Sequence, residues 1–138
     1  LDVVELAEGL RMIASFELES ARVTHDADSY AFRLRVPGRV GPGLVYSGDC
    51  GRADDLRALI RPGDTLLIEI AFGEGPVPPG AQHLDGPAIG ALVEATRPGK
   101  VLLTHLQMGH NPAEAVASVS RRFSGPIRFV WPGDSLDL

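Results

Sequence analysis

The residues that could do chemistry are His25, Asp49, His83 and His105, each at the end of an apolar, strand-like run or in a loop beside one. Asp49 follows Val45-Tyr46-Ser47-Gly48, a β-branched and aromatic run that ends on glycine, and His105 closes Val101-Leu102-Leu103-Thr104 in the same way. Polar groups at the ends of buried strands are presented at the rim of a rigid core. Imidazoles and a carboxylate are the ligands of a hydrolytic metal site, because neutral imidazole is a terminal ligand and one carboxylate can serve two cations. Asp49 suits the bridge and His25 and His105 one ion each, while His83, in a loop before a helix, could give a proton to a leaving group. Each residue alone has a plainer reading. A single loop histidine is usually solvated, Asp49 could cap the helix that follows it, and Cys50 fits a small buried residue. The combination carries the metal reading.

The elements that must position these groups can be traced along the chain. Val3–Leu6 and Leu10–Leu18 read as strands, and Tyr30–Val36 alternates, with Phe32, Leu34 and Val36 against Arg33 and Arg35. Pro37-Gly38 and Gly41-Pro42-Gly43 mark a turn into a strand over Leu44–Ser47. Ala53–Ile60 predicts a short helix with Leu56, Leu59 and Ile60 on one face, stopped by Arg61-Pro62-Gly63-Asp64. Thr65–Ile70 is a continuous apolar strand of the buried kind, and the glycine- and proline-rich stretch Gly73–Gly80 is a loop. A helix is predicted from Asp85 to Ala95, then a strand over Lys100–Leu103. Asn111-Pro112-Ala113-Glu114 is a helix start, with Asn as cap, Pro first and Glu placed to close a capping box, and that helix runs to Phe123. Pro126–Trp131 and Ser135–Leu138 read as short terminal strands. Strands first, then alternating helix and strand, predict a layered α/β domain.

Composition bounds the function. A chain of 138 residues that is 44% hydrophobic can build one core. A net charge of −5 argues against a protein whose main task is gripping nucleic-acid backbone. The single cysteine allows no internal disulfide, which fits the cytoplasm. No 18-residue apolar run is present, so no membrane span is expected. The start, Leu1-Asp2-Val3-Val4-Glu5, has no initiator Met or signal-peptide pattern and begins as if in mid-strand, which predicts a fragment.

Four motifs in order carry a resemblance: Tyr46-Ser47-Gly48-Asp49, then Asp64-Thr65-Leu66-Leu67-Ile68-Glu69, then Gln82-His83-Leu84, then Leu102-Leu103-Thr104-His105. Together they resemble the C-terminal half of a metallo-β-lactamase-fold hydrolase, in the branch of ribonuclease Z and the small phosphodiesterases. The resemblance implies an αβ/βα sandwich, of which residues 1–138 form a partial domain: a mixed sheet with helices on one face. It implies that Asp49 bridges two metals, that His105 binds the second and that His25, in Val23-Thr24-His25-Asp26, binds the first. It makes His83, 22 residues before His105, a proton donor in catalysis. Two features depart from the family pattern. Its main metal motif, HxHxDH, belongs upstream and is absent, and Asp85 stands where Thr or Ser is usual.

Without the upstream ligands, His25, Asp49 and His105 cannot fill two metal shells. Three readings stay open: the C-terminal part of a two-metal hydrolase using metal-activated water, a subunit completed by a partner chain, or an inactive relic or binding module with the same fold. The chain alone is expected to be inactive. The expected cofactors are two divalent ions, zinc first, with manganese or iron as alternatives. The interval from His25 to Asp49 is 24 residues, room for a hairpin but not for the long arm with which ribonuclease Z holds transfer RNA. A small phosphodiester or other small ester is thus expected in preference to structured RNA. The sheet should be covered on one face by helices around Leu56, Ile89 and Val116. Its other face should expose apolar surface, pack on the missing half or pair in a homo-oligomer.

Overall fold

The computed structural model describes residues 7–136. Strands β1 (Gly9–Ile13), β2 (Phe16–Arg22), β3 (Tyr30–Arg35), β4 (Leu44–Tyr46), β5 (Thr65–Glu69), β6 (Lys100–Thr104) and β7 (Ile127–Phe129) form one sheet in chain order. The pairings from β1 to β4 are antiparallel and those from β4 to β7 are parallel. Helix α1 (Gly86–Thr96) connects β5 to β6, and α2 (Pro112–Ser120) connects β6 to β7. Because the parallel strands add in one direction and such crossovers are right-handed, their helices fall on the same face. The mixed sheet with helices on one face is as expected.

Register decides what each face buries. Val45, Leu66, Val101 and Ile127 are neighbours across four strands. With Ile68 and Leu103 they join a core that includes Ile89, Leu92 and Val93 of α1 and Ala115 and Val119 of α2. The next rung turns the other way, so Phe32, Tyr46, Leu67 and Leu102 line the opposite face. There Phe32 and Leu67 are only half-buried, and Tyr46 is 40% exposed. No helix among the described residues is long and apolar enough to cross a membrane.

Four expectations need correction. Leu10–Leu18 is not one strand but a hairpin, with Ile13 opposite Phe16 and Ala14 at a φ of 51°. An Ala-Ser turn has none of the Asn-Gly or Asp-Gly signals of two-residue hairpin loops. Ala53–Ile60 makes only a 3-10 turn over Ala53–Leu56. The segment is shorter than a self-supporting helix, and Leu59 and Ile60 both donate back to the Leu56 carbonyl instead of extending a ladder, although all three stay buried. Helix α2 stops at Ser120, whose hydroxyl bonds back to the Val116 carbonyl (2.8 Å). Ser135 and Leu136 are not in a strand, and Asp137, Leu138 and the expected strand Val3–Leu6 lie outside the described residues.

Candidate metal centre

Three adjacent parallel strands bring the polar groups together. Asp49 follows β4, Glu69 is the last residue of β5 and His105 follows β6, all at the carboxyl ends where open α/β sheets bind ligands. Two loops at the same end add His25, between β2 and β3, and His83, between β5 and α1. Gly48, at φ +59°, makes the bend that delivers Asp49; a side chain there would meet the Tyr30 carbonyl at 2.9 Å. His105 itself sits in the left-handed region, at φ 55°. Such a backbone is uncommon for a non-glycine residue and concentrates at functional sites.

The aspartate lies between two imidazoles. Asp49 Oδ1 is 2.8 Å from His105 Nδ1, and Asp49 Oδ2 is 3.9 Å from His25 Nε2. The two oxygens of one carboxylate therefore face different histidines. His83 sits against both, its ring 4.9 Å from that of His25 and 5.4 Å from that of His105. Ligand atoms of His25, Asp49 and His83 lie within 4.8 Å of one another, as do those of Glu69, His83 and His105. The structure thus brings all four expected residues together, and it places His83 among the others rather than apart as a lone acid.

The loop carrying His25 is tied down on both sides. The Thr24 N–H donates to Asp55 Oδ2 (2.8 Å), and the Thr24 carbonyl accepts from the Gly51 N–H (2.5 Å). Asp26 accepts from the Ser29 hydroxyl (2.5 Å) and the Asp28 N–H (3.0 Å), bonds that hold its carboxyl below the usual range.

Glu69 is a residue of this cluster that sequence reasoning did not single out as a site residue. Its side chain is 1% exposed and accepts four hydrogen bonds. Oε1 takes the Cys50 N–H (3.0 Å) and His83 Nδ1 (2.8 Å), and Oε2 takes the N–H groups of Ala71 (3.0 Å) and Leu84 (3.3 Å). With both oxygens accepting, the imidazole is the donor through Nδ1, which leaves Nε2 outside the Glu69 contact. A glutamate ending an apolar strand was the available signal, but its partner is 14 residues away in a loop of unreadable path.

Neighbouring residues have plainer roles. Cys50 is fully buried, its thiol is pushed up to about 11 chiefly by burial, and it donates to the Arg52 carbonyl, which suits a small core residue. Arg52, not Asp49, precedes the 3-10 turn, so Asp49 is not its cap. His110 packs edge-on to Phe72 and belongs to neither metal-capable group. Asp85 caps α1, accepting from the Ala88 N–H at 2.9 Å.

The donor set fits divalent cations. Imidazole nitrogens and carboxylate oxygens suit zinc, manganese or iron, and the Glu69 carboxylate fixes the orientation of the His83 ring beside them. Two open clefts flank Asp49, both lined by Tyr46; one extends past His25 and Tyr30, the other past His105 and Trp131.

No family model matches the chain. Over 116 residues it is 32% identical to an uncharacterised protein of Mycobacterium leprae, covering 84% of this chain and 40% of that relative. The chain thus spans about two-fifths of the curated relatives it matches. The metallo-β-lactamase fold protein YhfI of Bacillus subtilis superposes with a TM-score of 0.79 at 21% identity, over 88% of this chain and 48% of YhfI. This chain has the metallo-β-lactamase fold. The diiron β-hydroxylase CmlA of Streptomyces venezuelae shares it, with a TM-score of 0.63 at 15% identity over 94% of this chain and 33% of CmlA. On the metallo-β-lactamase fold of this chain, the motifs around Asp49, Glu69, His83 and His105 all meet at the carboxyl ends of the parallel strands.

Proposed function

We propose that this chain supplies one part of a two-metal hydrolase that cleaves a small phosphodiester or another small ester, in the manner of the ribonuclease Z and small-phosphodiesterase branch. The observation that carries the reading is Asp49, whose two oxygens face His105 and His25 separately. In this reading Asp49 would serve both ions, with His25 holding one and His105 the other. Zinc is the first choice; manganese and iron share the ligand chemistry. These residues are too few for two shells, so the remaining ligands come from polypeptide outside the 138 residues. That agrees with the share of its relatives that the chain spans.

When bound, the ions supply an activated water and neutralise charge on the attacked centre. The chain's own groups then handle position and protons. Glu69 holds His83 by its Nδ1–H, so that Nε2, once protonated in the imidazolium, would deliver its proton to the departing oxygen. The interval between His25 and Asp49 contains only β3, a loop and β4, which leaves no arm for structured RNA and favours a small substrate.

The test uses the metal-loaded complete gene product, with metal content measured for each variant. Asp49→Ala is expected to lose metal and to lose activity on all esters alike. His83→Ala should keep metal and lose about 10²–10⁴-fold on a dialkyl phosphodiester, but much less on a nitrophenyl ester, whose leaving group needs little protonation. Equal loss on both substrates would remove His83 as the acid. Failure of the metal-loaded protein to cleave any ester would sink the hydrolase reading.

A further inference from the structure

One side chain beside the candidate centre has no part in the scheme above. Trp131, the single tryptophan of the chain, is 59% exposed and lines the same cleft as Asp49 and His105, a cavity of about 400 Å³. Scattered exposed apolar residues are ordinary on protein surfaces. Trp131 differs in being held in place. The Val130 N–H continues the ladder to the Leu103 carbonyl of β6 (2.9 Å), which sets Trp131 alongside Thr104 and His105. Asp134 then pins the turn, accepting from the Trp131 N–H (3.1 Å) and the Arg128 guanidinium (3.3 Å), while its own N–H donates to the Trp131 carbonyl (3.1 Å). The Phe129 ring packs against the indole at 4.7 Å between centroids. Tyr46, 40% exposed, lines the same cleft.

We infer that Trp131 and Tyr46 form the wall of a substrate subsite that takes a planar unsaturated ring, with the ester carried by that ring presented to Asp49 and His105. The inference rests on the hydrolase reading for the presence of an ester, but ring binding itself needs no turnover. Aromatic faces held rigidly lose little entropy on stacking a flat group, and the ring edge and face make such contacts favourable.

The test compares two probes on the metal-loaded complete gene product, phenylphosphonate and methylphosphonate, which share an anionic head and differ in the ring. Binding to the wild type and to each variant is measured by titration calorimetry, and in the wild type also by the emission that Trp131→Phe removes. The expected result is that phenylphosphonate binds about tenfold more tightly than methylphosphonate and changes that emission. Trp131→Phe should keep most of the preference, and Trp131→Ala should abolish it while binding methylphosphonate as the wild type does. Equal affinities, no binding of either probe, a preference that survives Trp131→Ala, or a Trp131 emission shielded from acrylamide in the free protein would each overturn the inference; shielding would mean that polypeptide covers the ring. The two readings fail separately. Cleavage of phenyl and methyl esters with equal efficiency leaves the hydrolase and removes the subsite. A ring preference in a protein that cleaves no ester leaves the subsite and removes the hydrolase.

Discussion

Strand β5 is bracketed by two buried carboxylates, Asp64 just before its first residue and Glu69 as its last. Asp64 is fully buried and accepts from Arg33 Nε (2.8 Å), Arg33 Nη2 (2.9 Å) and the N–H groups of Gly43 (2.7 Å) and Arg61 (2.9 Å). Glu69 likewise accepts four bonds, three from backbone N–H groups and one from His83. The acceptor count is the same, but the partners differ. A guanidinium is always charged, and here both atoms of its fork that reach Asp64 are committed to one carboxylate. An imidazole bonded through Nδ1 still has a second nitrogen, and this ring lies beside those of His25 and His105. One end of the strand closes the sheet; the other uses the same device to aim a group that can still react.

Breaking the closed end should cost the most. Asp64→Ala strands a guanidinium that is only 13% exposed and leaves two backbone N–H groups without their acceptor. Removing one partner of such a pair costs about 3–5 kcal/mol. Chemical denaturation is expected to show a loss of that size. A loss below about 1 kcal/mol would mean that water or rearrangement satisfies Arg33, and that the two ends are not built alike.

The open end should separate stability from chemistry. Glu69→Gln keeps the shape but sets an NH₂ against two of the four donors, at a cost of about 1–3 kcal/mol. Turnover of the complete protein should fall about 10–100-fold with metal content unchanged, because the carboxylate that orients His83 is weakened. Asp64→Asn, by contrast, should change activity only as far as it unfolds the protein. Equal activity loss per unit of stability at the two positions would erase the distinction.

Acid should act on the closed end in a defined direction. Burial raises the Asp64 carboxyl, but the bonds from Arg33, Gly43 and Arg61 outweigh it and leave the group below its ordinary value. A depressed carboxylate stabilises the fold fully above its unfolded value, and that contribution fades as pH falls through the folded value. Stability should therefore drop from the ordinary aspartate range downward, each unit of depression being worth about 1.4 kcal/mol. Asp64→Asn should flatten that part of a pH–stability curve measured by urea denaturation. An unchanged acid slope in Asp64→Asn would assign the loss to other carboxylates.

The contrast between the two ends also marks what could be read from sequence. Asp49 and His105 were legible because each ends a β-branched or aliphatic run, so local pattern alone placed them at a strand exit. His25 and His83 were singled out as loop histidines beside strands, but nothing local tells where a loop returns, and the resemblance supported setting them at one site. Glu69 and Asp64 were visible as the ends of an apolar strand, but their importance comes from partners in distant segments; Arg33 is 31 residues from Asp64. The parallel strands and both capped helices followed from continuous apolar runs and the Asn111-Pro112 start. The β1–β2 hairpin did not, because a left-handed Ala14 is a tertiary outcome that no turn residue announces.

Asp85 provides the smallest and most discriminating case. Where the resembling family usually has Thr or Ser, this chain has a carboxylate two residues after His83, and on sequence alone that weakened the proton-donor assignment. In the structure the side chain caps α1 through the Ala88 N–H (2.9 Å). Ser, Thr and Asp all supply the oxygen that this position needs. The departure is thus an exchange within one capping role, and it leaves the Glu69–His83 contact as the element that orients the imidazole. Asp85→Thr is expected to change stability by no more than a few tenths of a kcal/mol, and Asp85→Ala to cost about 1 kcal/mol. The side chain also fills space above Gly75, where an added Cβ would come within 2.7 Å of Asp85 Oδ2, so Gly75→Ala should be worse than Asp85→Thr. Thermal denaturation orders the three variants. If Asp85→Thr instead altered the leaving-group dependence of turnover while stability held, the carboxylate would be acting on His83, and the open end of β5 would have a second positioning residue.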